Sequence, residues 1–366
     1  MPQFDFFPSR TLTVYLARLF IVRIFAVLIM LVMVLQMLDL LGEGGKILAY
    51  PGNGEAELWT YVSLRAPQLV ARFLPYSVLL ATIITLATLN QNSEVIAMKA
   101  GGLSAHQVLA PLILSALGIA ILSFAFNERV VTRATATLSA WTAVDFGPIP
   151  EDTDVRSNIY LADGNDILAA VTVTGQGNAT VMQGVTWYRR DAKGVIVEQL
   201  RSPRATWAEP GWRLEAPVAF DAATTAMRTV EPVIVARGIV PARVSMQSVD
   251  ADAQDIFTLG RSIEELQAAG RRTSALESQW WHKISGPMSS VLMPLLGAVA
   301  AFGLARSGQL LIRAVIGMSL GFAYFVFDNA ALAMGDFGGY SPMVAAWAPF
   351  LLFFLVGETV LVRTEE

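Results

Sequence analysis

Apolar runs long enough to cross a bilayer occur in two groups of three, separated by one long polar interval. A spanning helix needs about 20 apolar residues, because about 30 Å of hydrocarbon is covered at about 1.5 Å per residue. The runs cover Leu16 to Leu41, Phe73 to Leu89 and Val108 to Phe126, then Ile284 to Ala305, Ala314 to Phe327 and Phe337 to Gly357. The centre of the first, from Ile24 to Leu38, carries no charge. That run is too long for a cleavable signal, and no small-residue cleavage pattern follows it. At 54% hydrophobic and 15% charged residues, with a mean hydropathy of +0.51, the whole chain sits outside the range of soluble globular domains. Six transmembrane helices are expected.

Lysine and arginine in the short segments set the expected orientation. With the N-terminus in the cytoplasm, Arg10, Arg18, Lys99, Arg306, Arg313 and Arg363 lie inside, and only Lys46 and Arg65 lie in the outer short segments. The expectation is a multi-pass membrane protein with both termini cytoplasmic and the long interval outside.

Between about Asn127 and Asp250 the pattern changes to short β-prone runs divided by turns, such as "IYLADGNDILAAVTVTG" and "VTWYRRDAKGVIVEQL". Val185–Arg189 and Val195–Gln199 flank Asp191-Ala192-Lys193-Gly194, and Arg204–Ala208 and Trp212–Glu215 flank Glu209-Pro210-Gly211. These are hairpin signatures, since Gly and Pro supply the dihedral angles of tight turns. An all-β, sandwich or jelly-roll-like domain outside the membrane is expected, with an open sheet edge available for strand addition. "SIEELQAAGRR" reads as a polar amphipathic helix with Ser262 as its N-cap and Gly270 at its end. The expected division is residues 1–126, the β domain 127–257, and 258–366.

Several chemistries are excluded by residue type. There is no cysteine, and the two histidines, His106 and His282, are far apart, so thiolate chemistry and a His-rich metal site are not expected. The net charge of −4 does not suit nucleic acid. "GEGGKI" at Gly42–Ile47 fails as a phosphate loop, with Leu40 at the first glycine position and Ile47 where Ser or Thr should follow Lys46. Asp163 and Asp166 read as solvated turn residues. No catalytic residue, cofactor or metal is expected.

Charges near the spans carry more information, because burying them unpaired is costly. Asp39, Lys46, Arg65 and Arg72 cluster at the outer ends of the first two runs, and the seven-residue spacing of the arginines places them on one helix face. Such a mouth suits an anionic amphiphile; snorkelling towards headgroups is the bland alternative. Asp328 is a weaker candidate that could end its helix in water.

The polar island "NQNSEVIAMKAGGLSAHQV" (90–108) lies on the cytoplasmic side of this arrangement. Ser93 is placed to cap a short helix beginning at Glu94, Gly101-Gly102 to end it, and Ser104 to cap the next span. Val95, Ile96, Met98 and Leu103 give it an apolar side. A short rigid helix there fits the groove of a separate ATPase; an ordinary interfacial helix is the other reading.

"NSEVIAMKAGGLS" resembles the coupling-helix motif of the LptF/LptG (YjgP/YjgQ) permeases of the lipopolysaccharide exporter. The "VTWYRRDAKGVIVEQLRSPRATWAEPGWRLE" stretch, "WWHKISGPMSSVLMPLLG" and "ARSGQ" are similar to further family segments, so the resemblance covers nearly the whole chain. "SEVIAMKAGG" and "MLDLL" are closer to the LptG branch. The resemblance implies an ABC transporter permease paired with an LptF-like permease above a dimer of an LptB-like ATPase. It further implies a gate shared with an LptC-like single-helix protein, and a jelly roll leading to a periplasmic LptA-like bridge. Glu94 matches the glutamate that contacts the ATPase, beside Val95, Met98 and Leu103. A family lysine late in span one is Gln36 here, so Lys46, Arg65 or Arg72 would have to hold lipopolysaccharide phosphate instead. Two other functions stay open on the residues: a mechanotransmission protein that moves its external domain without carrying lipid, and an ATP-independent scaffold.

Overall fold

A computed structural model describes residues 7–149, 156–175, 177–191, 194–221, 227–241, 244, 249–268, 270–302 and 310–365. Arg306, Ala305 and the "ARSGQ" turn, together with the hairpin-tip residues Ala192 and Lys193, lie outside them, as does the side chain of Arg313. The chain forms two compact units, one of Met1–Leu40, Arg65–Thr132 and Gln254–Glu366, the other of Leu41–Leu64 and Arg133–Ala253.

The first unit is helical. It draws on α1 (Arg10–Ala49), α2 (Glu55–Gln91), α3 (Glu94–Ala100), α4 (Ala105–Phe126), α6 (Ile256–Ala268), α7 (Ser274–Phe302), α8 (Leu310–Asp336) and α9 (Pro342–Glu365), with α5 (Thr132–Ala143) following α4. Leu16, Phe20, Ile24 and Leu28 recur every four residues on α1 and are buried against α2, α4 and α7 residues such as Val78, Leu109 and Leu296. Val22, Phe25, Ile29 and Met33 point the other way and are exposed, the arrangement expected when hydrocarbon is the solvent.

Five stretches are long and apolar enough to cross a membrane: Arg10–Ala49, Glu55–Gln91, Ala105–Ala143, Val315–Asp336 and Pro342–Arg363. The fourth run of the sequence lies in α7, which is not among them. The side chains of that run from Ala300 on lie outside the described residues, and within the described part Lys283, Ser285, Ser289 and Ser290 are buried inside the protein rather than turned outward.

Three boundaries differ from those read in the sequence. The helix of the first run continues past Leu41 to Ala49, and at 40 residues α1 extends about 60 Å. The third run does not stop at Phe126: a π-helical turn at Asn127–Val131 leads into α5, so residues read as the start of the β insert are helical. Trp141 and the buried Leu138 and Ala140 anchor them in a helix. The Trp141 indole donates to the Gly147 carbonyl at 2.7 Å and meets Phe146 edge-on at 5.3 Å.

The third difference is at α6. It starts at Ile256, with Ser262 inside it, and Asp255 rather than Ser262 accepts from the leading amides, Thr258 and Phe257, each at 3.0 Å. The Thr258 amide and hydroxyl hold the Asp255 carboxyl below the ordinary carboxylate range. Gly270 follows the helix with φ +68°, as its position suggested.

The second unit is built on an eight-stranded antiparallel sheet in the order β1-β2-β3-β4-β5-β8, with β6 pairing β4 and β7. Its strands are β1 (Arg156–Asp163), β2 (Asp166–Thr174), β3 (Val181–Arg190), β4 (Ile196–Ala208), β5 (Gly211–Glu215), β6 (Val218–Asp221), β7 (Met227–Thr229) and β8 (Val233–Val235). Both expected hairpins are present, and they share β4. That strand changes partner along its length: Glu198–Arg201 pair with β6, Arg204–Ala208 with β5. Pro203, which has no N–H to leave unpaired, sits at the changeover. Trp187, Leu200, Trp212 and Leu214 fill the core, and the Trp212 indole donates to the Ile239 carbonyl at 2.7 Å. Asp163 and Asp166 are not merely solvated, for they accept from the Gly238 and Arg190 amides.

Candidate functional site

The seven residues of α3 form a short, well-terminated helix between two spans. Ser93 does not cap it. Its backbone is left-handed at φ 60° and its side chain makes no capping bond, because the turn out of α2 already fixes the chain through Ser93 N–H to Asn90 O. The C-terminus is closed by a Schellman pair: Gly102 at φ +88° donates to Lys99 O, and Leu103 donates to Met98 O at 3.1 Å. Leu103 and Met98, distant on a helical wheel, are thereby brought side by side. Ser104 then opens α4 with a full capping box to Gln107.

The helix is seated by one residue. Val95 is 4% exposed and joins the bundle core, against which Met98 also packs, while Ile96 is 64% exposed. Glu94 is half-buried. Its two carboxylate oxygens accept from the Tyr15 hydroxyl of α1 at 3.1 Å and from the Asn92 amide at 3.2 Å. Arg23 lies close enough to interact with both Tyr15 and Glu94, and it donates to the Ile84 carbonyl of α2 at 3.3 Å.

The residues expected at a cationic mouth separate. Asp39 and Arg65 meet in a two-bond pair at 3.0 and 3.1 Å, and Arg65 also donates to Gln68 at 2.7 Å. Arg72, on the same α2, is exposed. Gln36, one turn before Asp39, is 9% exposed, and neither atom of its amide has a hydrogen-bond partner. Lys46 belongs to the other compact unit and pairs with Glu43 at 2.9 Å.

Sequence reasoning missed several interhelical polar contacts of the bundle. Asp328 does not end its helix in water: it is 6% exposed, α8 runs on to Asp336, and one carboxylate oxygen lies 3.9 Å from His282 of α7. Glu128, on the π turn, accepts from the Ile256 amide at 2.6 Å and lies 3.7 Å from the buried Lys283. The Trp280 indole donates to the Ile256 carbonyl at 3.0 Å, so the first residue of α6 is held from both sides. His106 and Glu358 pair at 3.2 Å between α4 and α9. Charged residues inside apolar runs were the available signal, since they are rarely tolerated without a partner.

The sequence model described as "Lipopolysaccharide export system permease LptF/LptG" matches residues 14–363. The lipopolysaccharide export system permease protein LptG of Escherichia coli K12 is 25% identical over 338 residues, covering 90% of this chain and 91% of that protein. Its counterpart from Haemophilus influenzae is 23% identical over 326 residues, covering 86% and 89%. The match runs through both groups of spanning helices and the sheet between them, and the relatives fall on the LptG side that the α3 motif suggested. The chain therefore belongs to the LptF/LptG family of lipopolysaccharide export permeases, multi-pass proteins of the inner membrane.

Proposed function

We propose that this chain is the permease subunit that extracts lipopolysaccharide from the inner membrane and passes it to a periplasmic bridge, driven by a separate ATPase. The observation that carries this reading is α3. A helix closed at its C-terminus and anchored in the bundle by Val95, with Glu94 at its start and Ile96 turned outward, is suited to being pushed as a body. A flexible turn would dissipate the same push.

In this reading Glu94, Val95, Met98 and Leu103 form the ATPase-coupling element. Both termini face the cytoplasm and the β insert is a periplasmic jelly roll. An LptF-like permease, an LptB-like ATPase dimer, an LptC-like single-helix protein and an LptA-like bridge complete the system. The chain itself carries no catalytic step. Lipopolysaccharide phosphate is met by Arg65 and Arg72, with Gln36 and Asp39 beside them and Lys46 as a further cation.

A pull-down in detergent, followed by mass spectrometry, tests the reading with wild type and Glu94→Lys. Wild type should bring down an ATPase and a second six-span permease, and the variant should lose the ATPase, since a reversed charge at that contact is unfavourable. Wild type without any ATPase would overturn it and leave a scaffold as the better account.

A further inference from the structure

Glu94 and Tyr15 are 79 residues apart in sequence, and their 3.1 Å bond ties α3 to α1. That bond has two properties. It reaches the carboxylate at the very start of α3, the residue through which a partner would act in the reading above. It also starts from a helix that continues without interruption to Ala49, so α1 is a lever about 60 Å long if moved at one end. Elsewhere on α3, Val95 and Met98 are held by apolar packing, which has no direction, whereas a hydrogen bond to a charged acceptor does. Arg23 fixes α1 to α2 one step further along, through the Ile84 carbonyl, and its charge faces the same pair.

We infer that Tyr15 is a positioning residue that fastens the start of α3 to α1, so that a displacement of α3 is delivered to α1 as well as to the spans that flank it. The inference rests on the proposed coupling role of Glu94. Its chemistry is a single donor: the phenol supplies one O–H to Oε2, and Phe at the same place keeps the ring and removes the donor. The bond is exposed, so a partner surface covering it would strengthen it by excluding water.

The test uses the assembled membrane complex in proteoliposomes, with lipopolysaccharide as cargo. Because the chain has no cysteine, Ile96→Cys and Met37→Cys, both exposed, are its only thiols, and with partner chains freed of cysteine their labels report one separation, read with and without ATP. Tyr15→Phe should retain the co-purified ATPase at the wild-type amount, abolish the ATP-dependent change in label separation, and lower lipid release by about tenfold, the scale of a lost charged hydrogen bond. In a Glu94→Ala background the same change should add nothing further, since the acceptor is already gone. Tyr15→Phe with lipid release within about twofold of wild type and an unchanged label shift would overturn the inference while leaving the ATPase reading intact. So would loss of the ATPase from the Tyr15→Phe complex, which would place the hydroxyl in docking. Absence of the ATPase from the wild-type complex is the separate failure of the coupling reading.

Discussion

The helical bundle and the β sheet both bury a dense apolar core, yet they turn opposite chemistry outward. On α1 the exposed residues include Val22, Phe25, Ile29 and Met33, while polar Ser289, Ser290 and Lys283 are buried in α7. In the sheet the interior holds Trp187, Trp212 and Leu214, and Arg189, Arg201 and Arg204 are on the outside. The difference teaches what each core is made to resist. Water drives the sheet's side chains inward, whereas in hydrocarbon the gain on packing is close van der Waals contact and the pairing of polar groups. The sheet should therefore be most sensitive to lost volume and the bundle to added volume or added charge.

The largest effect should come from Trp212→Ala, which empties a fully buried site and orphans the Ile239 carbonyl; a loss of about 3–5 kcal/mol is expected in the unfolding of the β domain. Denaturant titration followed by tryptophan fluorescence measures it, and a loss under about 1 kcal/mol would break the contrast. Next, one substitution on the two surfaces separates their solvents. Ile29→Lys, 56% exposed on α1, should cost about 2.5–3.5 kcal/mol of membrane insertion, while Val197→Lys, 37% exposed on β4, should stay within about 0.5 kcal/mol. Equal yields of both variants in the membrane fraction would sink the assignment of α1's outer face to lipid.

A smaller effect is expected at Gly335, where an added Cβ would stand 2.6 Å from both the Ala345 Cβ and the Ser278 Oγ. Three helices converge there, and neither neighbour has a flexible end to swing away. Gly335→Ala should cost about 1–3 kcal/mol, against no loss for Gly118→Ala, which meets nothing within 4 Å. Thermal unfolding in detergent reads both. Smallest is Asp255, whose carboxyl is held low by Thr258. A depressed folded-state value gives stability that is present above the ordinary carboxylate range of about 3.9 and lost as pH falls through the lower folded value. Asp255→Asn keeps the cap and should remove this acid-side slope, visible as a flatter melting temperature below about pH 4.

The same contrast explains what the sequence made legible. Long apolar runs and hairpin turns are local signals, so most spans and both β4 hairpins could be read directly. The α3 helix was legible because its ending is a Gly-Gly pair and its successor begins with a serine cap. The rest depends on tertiary contacts. Nothing local marks Asn127–Ala143 as helix until Trp141 finds the Gly147 carbonyl. Asp328 gave no sign of burial, since its partner His282 lies on a different helix. Tyr15 gave no sign for the same reason: its acceptor lies 79 residues further on, beyond two spanning helices. Asp255 lost to Ser262 because both are good caps, and the Ile256 clamp decides between them.

The Asp39–Arg65 pair has a consequence for any anion that reaches this part of α2. Arg65 already carries its counter-ion on a neighbouring helix, so a phosphate that takes the same bidentate grip must displace Asp39. It must trade places with a carboxylate, and the free energy of capture is the difference between two guanidinium partners rather than the value of one. An exchanger of this kind is selective without being tight: a singly charged headgroup gains little over Asp39, and a doubly charged one gains more. In the proposed transport cycle the displaced carboxylate stays within reach and closes the pair again once the cargo is pulled away.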